Sequence, residues 1–276
     1  MLVTSKELLA EAKRKGCAIP APNFVGLDMA RWLVEAAEKK GLPLVLSFAE
    51  THIDSMIPLE DAAAMGRWYA EQASVPVVLH FDHGFTIPTI KKAIDCGFSS
   101  VMIDASSESF EENVRRTKEV IEYAHAHGVS VEAEIGHVGS GENYENHELT
   151  ESQLTTVEEA KAFVAATGVD SLAVSIGTAH GAYKGVPEIN FERLAQLAAA
   201  VDVPLVLHGG SSSGDDNLKK CSLGGIAKIN IHTDLIVAAA NEIHAAAPNN
   251  YMDTQDCAKK GIQACLEHYF DVFETK

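Results

Sequence analysis

The chain is short of positive charge, of paired cysteines and of long apolar runs, and each shortage excludes a class of protein. Only 22 of its 276 residues are Lys or Arg against 39 Asp or Glu, for a net charge of -17. Nucleic acids and anionic membranes select basic surfaces, so neither is expected as a partner. No run approaches the roughly 18 apolar residues of a membrane-spanning helix. The five cysteines are odd in number and lack C-x-x-C spacing, which predicts free thiols and a cytoplasmic location.

The pattern along the chain is a regular alternation of strand-like and helix-like segments. Eight short β-branched or apolar runs cover residues 17–23, 42–49, 75–82, 99–105, 129–136, 169–177, 203–209 and 226–231. Helical stretches with a period near 3.6 lie between them. This alternation predicts an α/β fold, a closed (β/α)8 TIM barrel, formed by residues 1–276 as a single domain. A doubly wound open sheet is the alternative, since near-continuous apolar strands fit both.

Three histidines follow three of the predicted strands at equivalent positions. They are His83, His180 and His208. In a barrel of this kind the carboxyl ends of the strands carry the chemistry. Neutral imidazoles on rigid elements suit a catalytic zinc ion that keeps one coordination position open. A single such histidine is more often a surface or core residue, but three in register predict a metal site.

Carboxylates lie on the same strand ends. Asp82 is a candidate general acid/base beside the metal, with a helix cap or a loop salt bridge as the alternative. Asp82 and its histidine neighbour can both line the mouth only if the chain leaves strand geometry there, a turn that Gly84 would permit. Asp104, Glu132 and Glu134 are candidates for a second metal position or for acceptors of histidine N–H groups, or they only bind barrel loops.

Two glycine- and serine-bearing segments predict a phosphate site. HGGSSSG (208–214) and KINIHTD (228–234) follow the last two runs, where barrels commonly bind phosphate through backbone N–H groups and a helix N-terminus. The candidate contacts are Gly209, Gly210, Ser211, Asn230 and Thr233, with Lys184 adding a positive charge. The polar connector 136–156 is long for a compact barrel and is a candidate lid that carries Glu142, Glu145 and Glu148, with a disordered acidic loop as the alternative for each of them.

Together these segments resemble the class II, metal-dependent ketose-bisphosphate aldolases, the family of fructose- and tagatose-bisphosphate aldolases. The resemblance runs through DHG (82–84), SVMIDAS (100–106), the segment 110–136, TAHGAYKG (178–185), LHGGSS (207–212) and KINIHTD (228–234). It implies a zinc-dependent aldolase that cleaves a phosphorylated ketose to dihydroxyacetone phosphate and an aldehyde.

The resemblance also implies a role for each matching residue. His83, His180 and His208 would bind Zn2+ and Asp82 would be the catalytic acid/base. Gly181, Gly209, Gly210, Ser211, Asn230, Ile231, His232 and Thr233 would contact dihydroxyacetone phosphate, and a monovalent cation, Na+ or K+, often lies near the phosphate. The resemblance further implies a homodimer or homotetramer, the usual assemblies of the family.

The segments that face the aldehyde half depart from the family pattern. Asn23 matches the usual A-F-N-x-N-N, but the later asparagines are absent, and SFAETH (47–52) places Glu50 where substrate hydroxyls are often met. Asn23 and Glu50 are therefore further candidate substrate contacts, with a salt bridge outside the pocket as the alternative for Glu50. His232 replaces an acidic or amide residue. The sequence does not name the ketose. A zinc hydrolase on the same barrel and a non-catalytic sugar-phosphate-binding protein are the alternative functions.

Overall fold

The structure is a computed structural model that describes residues 1–53, 55–136, 138, 154–179, 181 and 187–276. The strands are β1 (Leu2–Val3), β2 (Ile19–Pro22), β3 (Leu44–Ala49), β4 (Val77–Gly84), β5 (Ser100–Ile103), β6 (Ser130–Ile135), β7 (Ser171–Val174), β8 (Leu205–Leu207) and β9 (Ile226–Ile231). The α-helices are α1 (Ser5–Lys15), α2 (Leu27–Lys40), α3 (Leu59–Gln72), α4 (Ile87–Cys96), α5 (Phe110–Ala126), α6 (Val157–Thr167), α7 (Phe191–Ala200), α8 (Asp215–Leu223), α9 (Thr233–Ala246) and α10 (Tyr251–Val272). A short 3-10 helix covers Glu50–His52.

Strands β2 to β9 form a parallel barrel. From β3 to β9, each strand pairs in parallel with the next one along the chain. Strand β9 then pairs with β2, from Ile19 opposite Lys228 onward, and a bridge between Asn23 and Ser47 joins the end of β2 to β3. This circle confirms the (β/α)8 barrel and excludes the doubly wound open sheet, which would leave two edge strands.

Helix boundaries follow local capping signals. Thr156 and Glu159 form a capping box at the start of α6, and the Ser109 side chain caps α5. Gly41 ends α2 with φ 70°, a left-handed conformation that glycine adopts without strain. Within the described residues, no helix is both long and apolar enough to cross a membrane.

Helix α1 covers the amino-terminal end of the barrel. Its Leu9 is fully buried and belongs to a cluster with Ile19, Val45 and Val78 from three barrel strands. Burying a leucine contributes about 2 kcal/mol. The open end of the barrel is the opposite one, where the carboxyl termini of the strands meet.

Candidate active site

A cavity of about 500 Å³ opens at the carboxyl ends of the strands, a size that suits a small-molecule ligand. It is lined by Asn23, Ala49, Thr51, His52, Asp82, His83, Phe85, Asp104, Val138, Gly181, Gly209, Gly210, Ser211, Asn230, Ile231, His232 and Thr233. Most of the residues predicted from the sequence for the metal, the acid/base and the phosphate therefore surround one space.

His83 reaches this cavity because the chain leaves strand geometry at His83 itself. Its φ is +47°, which is strained for a residue with a side chain, and the register of β4 against β5 shifts between Phe81 and Gly84. The expected turn at Gly84 was therefore misplaced by one residue. Gly84 instead allows the backbone of β5 to lie close to that of β4, because a Cβ on Gly84 would be 2.4 Å from the Met102 carbonyl oxygen.

The imidazole rings of His83 and His208 face each other. Nε2 of His83 lies 2.9 Å from Nδ1 of His208. Their other nitrogens lie against carboxylates: Nδ1 of His83 is 2.9 Å from Asp104 Oδ2, and Nε2 of His208 is 3.0 Å from Glu132 Oε1. Ionised carboxylates only accept hydrogen bonds, so these contacts place the N–H groups outward and direct the two remaining nitrogens at a common point. Two lone pairs at this distance require a cation or a proton between them.

The charges around the pair favour a cation at that point. Burial alone would lower the pKa of His83, but the carboxylates of Asp82, Asp104 and Glu134 raise it to about 9. Burial and the charge of His83 lower the pKa of His208. The pair therefore holds one positive charge rather than two.

Glu134 supplies a further candidate ligand atom. Its Oε2 lies 3.5 Å from His208 Nδ1 and makes no hydrogen bond among the described residues. Burial and the Asp104 charge raise the pKa of Glu134 to about 8. Two groupings, Asp82–His83–His208 and His83–Asp104–Glu134, each bring their ligand atoms within 4.8 Å of one another. A buried carboxylate oxygen without a donor fits a metal ion, which takes imidazole and carboxylate ligands.

Asp82 is fully buried and held as a carboxylate. Burial alone would raise its pKa, but the charge of His83 and the nearby His80 imidazole, whose Nε2 lies 3.7 Å from Asp82 Oδ1, help to hold it well below its usual range. Asn23 Nδ2 donates to Oδ2 at 3.1 Å, and Asn230 Nδ2 donates to Oδ1 at 3.0 Å. The two amides fix the direction of a group that can accept a proton from a ligand in the cavity.

The predicted phosphate loop lies directly against two strand ends. A Cβ on Gly209, whose φ is +68°, would lie 2.3 Å from the Ala179 carbonyl oxygen. Gly210 N–H donates to the Asn230 carbonyl oxygen at 3.0 Å. Both glycines therefore permit backbone contacts that no side chain would allow.

A second set of hydrogen bonds fixes the end of this loop. Ser211 Oγ accepts from the His232 N–H at 3.1 Å, and Asp234 Oδ2 accepts from the Ser212 N–H at 2.8 Å. The Tyr269 hydroxyl donates to the same Asp234 oxygen. The loop is thus tied to the first turn of α9, whose N-terminus opens on the cavity.

A second pair of histidines, His52 and His232, lies in the cavity wall, and only His232 was predicted from the sequence. His232 Nδ1 donates to the Asn23 carbonyl oxygen at 3.2 Å. The ring of His52 lies 5.2 Å from that of His232, and burial lowers the pKa of both. The available signal for His52 was its place just after the second predicted strand (42–49), two residues beyond Glu50.

Glu50 does not line the cavity. Its Oε2 accepts from the backbone N–H of Phe85 at 2.5 Å and of Thr86 at 3.4 Å. Arg116 donates to the Phe85 carbonyl oxygen. The Glu50 carboxylate thus holds the connection between β4 and α4, and the expected contact with substrate finds no support in this geometry.

The barrel interior below the mouth holds a buried ion pair that the sequence analysis also missed. Lys228 Nζ lies 2.9 Å and 3.0 Å from the two oxygens of Glu132 and 3.5 Å from His80 Nε2. All three side chains are at most 1% exposed. The signal was the alternation in the run IAKINI, which puts Lys228 on the same face of the strand as Asn230, a residue already predicted to contact the ligand.

Several predicted residues lie outside the part of the chain that the structure describes. They are the metal ligand His180, the phosphate contact Lys184 and the lid residues Glu142, Glu145 and Glu148. Gly181, next to His180, is described and lines the cavity.

Comparisons with known proteins agree over nearly the whole chain. The family model described as class-II fructose-bisphosphate aldolase matches residues 3–276. The chain is 42% identical over 233 residues to the 6-phospho-5-dehydro-2-deoxy-D-gluconate aldolase of Shouchella clausii, covering 84% of this chain and 78% of that protein. It is 37% identical over 261 residues to the fructose-bisphosphate aldolase of Staphylococcus epidermidis, covering 94% and 90%. The crystal structure of the YdjI aldolase from Escherichia coli K12 superposes with a TM-score of 0.90 at 35% identity, covering 100% and 98%.

Proposed function

Because the chain belongs to the class II fructose-bisphosphate aldolase family, we propose that it is a zinc-dependent lyase that reversibly cleaves a phosphorylated ketose to dihydroxyacetone phosphate and an aldehyde. One observation carries the proposal. His83 Nε2 and His208 Nδ1 are directed at one point, 2.9 Å apart, beside the ionised Asp82 and the loop of Gly209 and Gly210. The whole chain, residues 1–276, would form the single catalytic domain.

The proposed ligands of Zn2+ are His83, His180 and His208. Asp104 and Glu134 would offer a second metal position or hold the ligand histidine. The donor set fits zinc, which prefers imidazole nitrogens with a carboxylate nearby. When bound, the metal would act as a Lewis acid for the ketone oxygen. Imidazole also suits cobalt or manganese, so metal analysis of the purified protein decides which ion is native.

Asp82 would carry the proton of the reaction. In cleavage its carboxylate takes the proton of the C4 hydroxyl, the C3–C4 bond breaks and C4 becomes the aldehyde carbon. The electron pair of that bond passes towards the ketone carbonyl, and the former C3 of the resulting enediolate takes up a proton to give dihydroxyacetone phosphate. In condensation the same steps run in reverse and the C4 proton returns. No Schiff base is required, and the buried Lys228 is paired with Glu132. Borohydride added with substrate should therefore trap nothing on a lysine.

The phosphate would bind where two loops and a helix N-terminus meet. The proposed contacts are Gly181, Lys184, Gly209, Gly210, Ser211, Asn230, Ile231, His232 and Thr233, with a monovalent cation, Na+ or K+, beside the phosphate. Asn23 completes the set through its contact with Asp82. Backbone N–H groups and the dipole of α9 suit an anion, and they would hold it against the net negative charge of the chain.

Two substrate classes are candidates. Fructose and tagatose bisphosphates carry a phosphate at both ends, whereas 6-phospho-5-dehydro-2-deoxy-D-gluconate carries one phosphate beside its ketone and a carboxylate at the far end. The described residues that line the cavity include no Lys or Arg. A second phosphate dianion there would find no matching charge among them, which favours a substrate with a single phosphate.

The test of the proposed function is a cleavage screen with metal analysis. The panel holds the bisphosphates and 1-phosphates of fructose, tagatose, sorbose and psicose together with 6-phospho-5-dehydro-2-deoxy-D-gluconate. We expect cleavage that yields dihydroxyacetone phosphate, is abolished by chelation and is restored by zinc. His180→Ala should fold and lose zinc, while Asp82→Asn should keep zinc and lose cleavage. Full zinc occupancy in folded His180→Ala would contradict the ligand assignment.

A hydrolase and a non-catalytic sugar-phosphate-binding protein are separated from the aldolase by one measurement. Only the aldolase should exchange a hydrogen of the hydroxymethyl carbon of dihydroxyacetone phosphate with solvent when no aldehyde is added. A hydrolase would use the metal to activate water, which leaves the phosphate loops unexplained. Absence of exchange in the zinc-loaded protein would reject the aldolase. Assembly into a homodimer or homotetramer and a cytoplasmic location stay predictions.

A further inference from the structure

Glu132 and Lys228 meet inside the barrel although their strands are not neighbours. Glu132 lies on β6, between Met102 of β5 and Ser171 of β7, and Lys228 lies on β9. Their side chains cross the interior to form contacts of 2.9 Å and 3.0 Å, and they are 1% and 0% exposed. A buried pair of this kind is weak evidence for stability, since desolvation offsets the attraction. The position of the pair, directly below the proposed metal ligands, indicates a functional role instead.

The same carboxylate contacts a proposed metal ligand. Glu132 Oε1, which binds Lys228, also accepts from His208 Nε2 at 3.0 Å. A histidine that donates one ring N–H to a carboxylate has its ring direction and its tautomer fixed, and its other nitrogen is left for the metal. In His208 that other nitrogen is Nδ1, which lies 2.9 Å from His83 Nε2.

We propose that Glu132 and Lys228 are positioning residues for His208: the Glu132 carboxylate, oriented by Lys228, accepts the Nε2 proton and thereby directs Nδ1 at the metal. The inference rests on the proposed function in one respect, that His208 binds a metal. Neither residue touches the cavity, so neither is catalytic.

Lys228 has a specific part in this arrangement. His80, Asp82 and Glu132 bring ligand atoms within 4.8 Å of one another in the interior, which is the composition of a possible cation site. The Lys228 ammonium lies among these groups, 2.9 Å from Glu132 and 3.5 Å from His80. It supplies the positive charge there, so Glu132 is held as a hydrogen-bond acceptor below the mouth instead of acting as a ligand.

The test uses the full chain and variants that avoid an unpaired buried charge. Glu132→Gln alone would leave the ammonium without a partner and could unfold the protein. The double variant Glu132→Gln with Lys228→Met is neutral and keeps the side-chain volumes. Ser171→Ala is the matched control, because Ser171 Oγ donates at 3.4 Å to Glu132 Oε2, whereas His208 contacts the other oxygen of that carboxylate, Oε1. Circular dichroism and urea unfolding confirm that each variant folds.

Two readouts do not depend on turnover. The first is the zinc dissociation constant from competition with a chelator, which should rise about 10- to 100-fold in the double variant, the usual effect of losing such a partner. The second is the His208 tautomer in the metal-free protein, from nitrogen chemical shifts of labelled imidazole. We expect the Nε2–H form in the parent protein and in Ser171→Ala, and a mixture in the double variant.

The possible results distinguish a failure of the positioning role from a failure of the proposed function. If the parent protein binds zinc and the folded double variant binds it equally with the same tautomer, the positioning role is wrong and the proposed function stands. If the parent protein binds no zinc, the proposed function fails. The tautomer then still decides, because an unchanged Nε2–H form in the double variant overturns the positioning role.

Discussion

The sharpest test of the site concerns Gly210, where the structure leaves no room for a methyl group. A Cβ added there would lie 2.6 Å from the Asn230 carbonyl oxygen and 2.6 Å from Ile229 Cγ2. Ordinary van der Waals contact begins at 3.4 Å, so the loop or the end of β9 has to move by about 0.8 Å. One of the two obstacles is backbone, which cannot rotate away as a side chain could.

The movement would affect chemistry more than folding. The side chain of Asn230 donates to Asp82 at 3.0 Å, and the backbone of Gly210 belongs to the proposed phosphate site. A shift of about 1 Å in a reacting geometry can cost roughly 100-fold in rate, whereas overpacking costs about 1–3 kcal/mol of stability. We expect Gly210→Ala to fold and to lose about two orders of magnitude in kcat/KM.

The assay is cleavage of the preferred ketose phosphate, coupled to detection of dihydroxyacetone phosphate, with urea unfolding for stability. Gly26→Ala is the matched control, because its φ of 178° is ordinary extended backbone and a Cβ there meets nothing within 4 Å. Its kcat/KM should stay within about twofold of the parent value. If the two alanine variants are equally active, catalysis does not require the loop of Gly210 to lie close to β9.

Two further substitutions test residues around the cavity. Tyr269→Phe removes the hydroxyl that donates to Asp234, whose carboxylate accepts from the Ser212 N–H. Losing one such hydrogen bond costs about 1 kcal/mol, so KM for dihydroxyacetone phosphate in condensation should rise about fivefold. An unchanged KM would show that these hydrogen bonds do not contribute to phosphate binding. Glu50→Gln should leave the ratio of kcat/KM for monophosphate and bisphosphate ketoses unchanged, since its carboxylate is engaged with the Phe85 N–H; a changed ratio would return Glu50 to the substrate contacts.

The barrel and the meeting of its strand ends were predictable because both follow from the order of segments. Eight apolar runs separated by helices close into one ring, and parallel strands then deliver their carboxyl ends to the same rim. That rule alone brings His83, His208 and Asp82 together although up to 126 positions separate them in the chain. It needs no knowledge of side-chain conformation.

Details that depend on local backbone or on contacts across the barrel were not predictable in the same way. The turn that directs His83 to the mouth requires a positive φ at a histidine, a conformation that few residues other than glycine adopt and that the strand pattern around it does not indicate. Glu50 follows a strand end, as the cavity residues do, but its carboxylate accepts hydrogen bonds from the Phe85 and Thr86 N–H groups in the connection after β4. The pairing of Glu132 with Lys228 depends on the relative heights of β6 and β9, which are not neighbours, so alternation within each strand shows only that both side chains point inward.

The contacts that hold the proposed metal ligands limit which residues of the site can be substituted. The outer nitrogens of His83 and His208 are held by Asp104 and Glu132, and Glu132 in turn is engaged with Lys228 in the closed interior. Removing one partner of a buried charged pair costs about 3–5 kcal/mol, a large part of the stability of a typical domain. The connections after β3 and β4 contribute Thr51, His52 and Phe85 to the cavity wall instead, and connections tolerate substitution better than the strands that they join. A change of aldehyde partner is therefore expected to arise from those connections, with the metal and proton-transfer groups left in place.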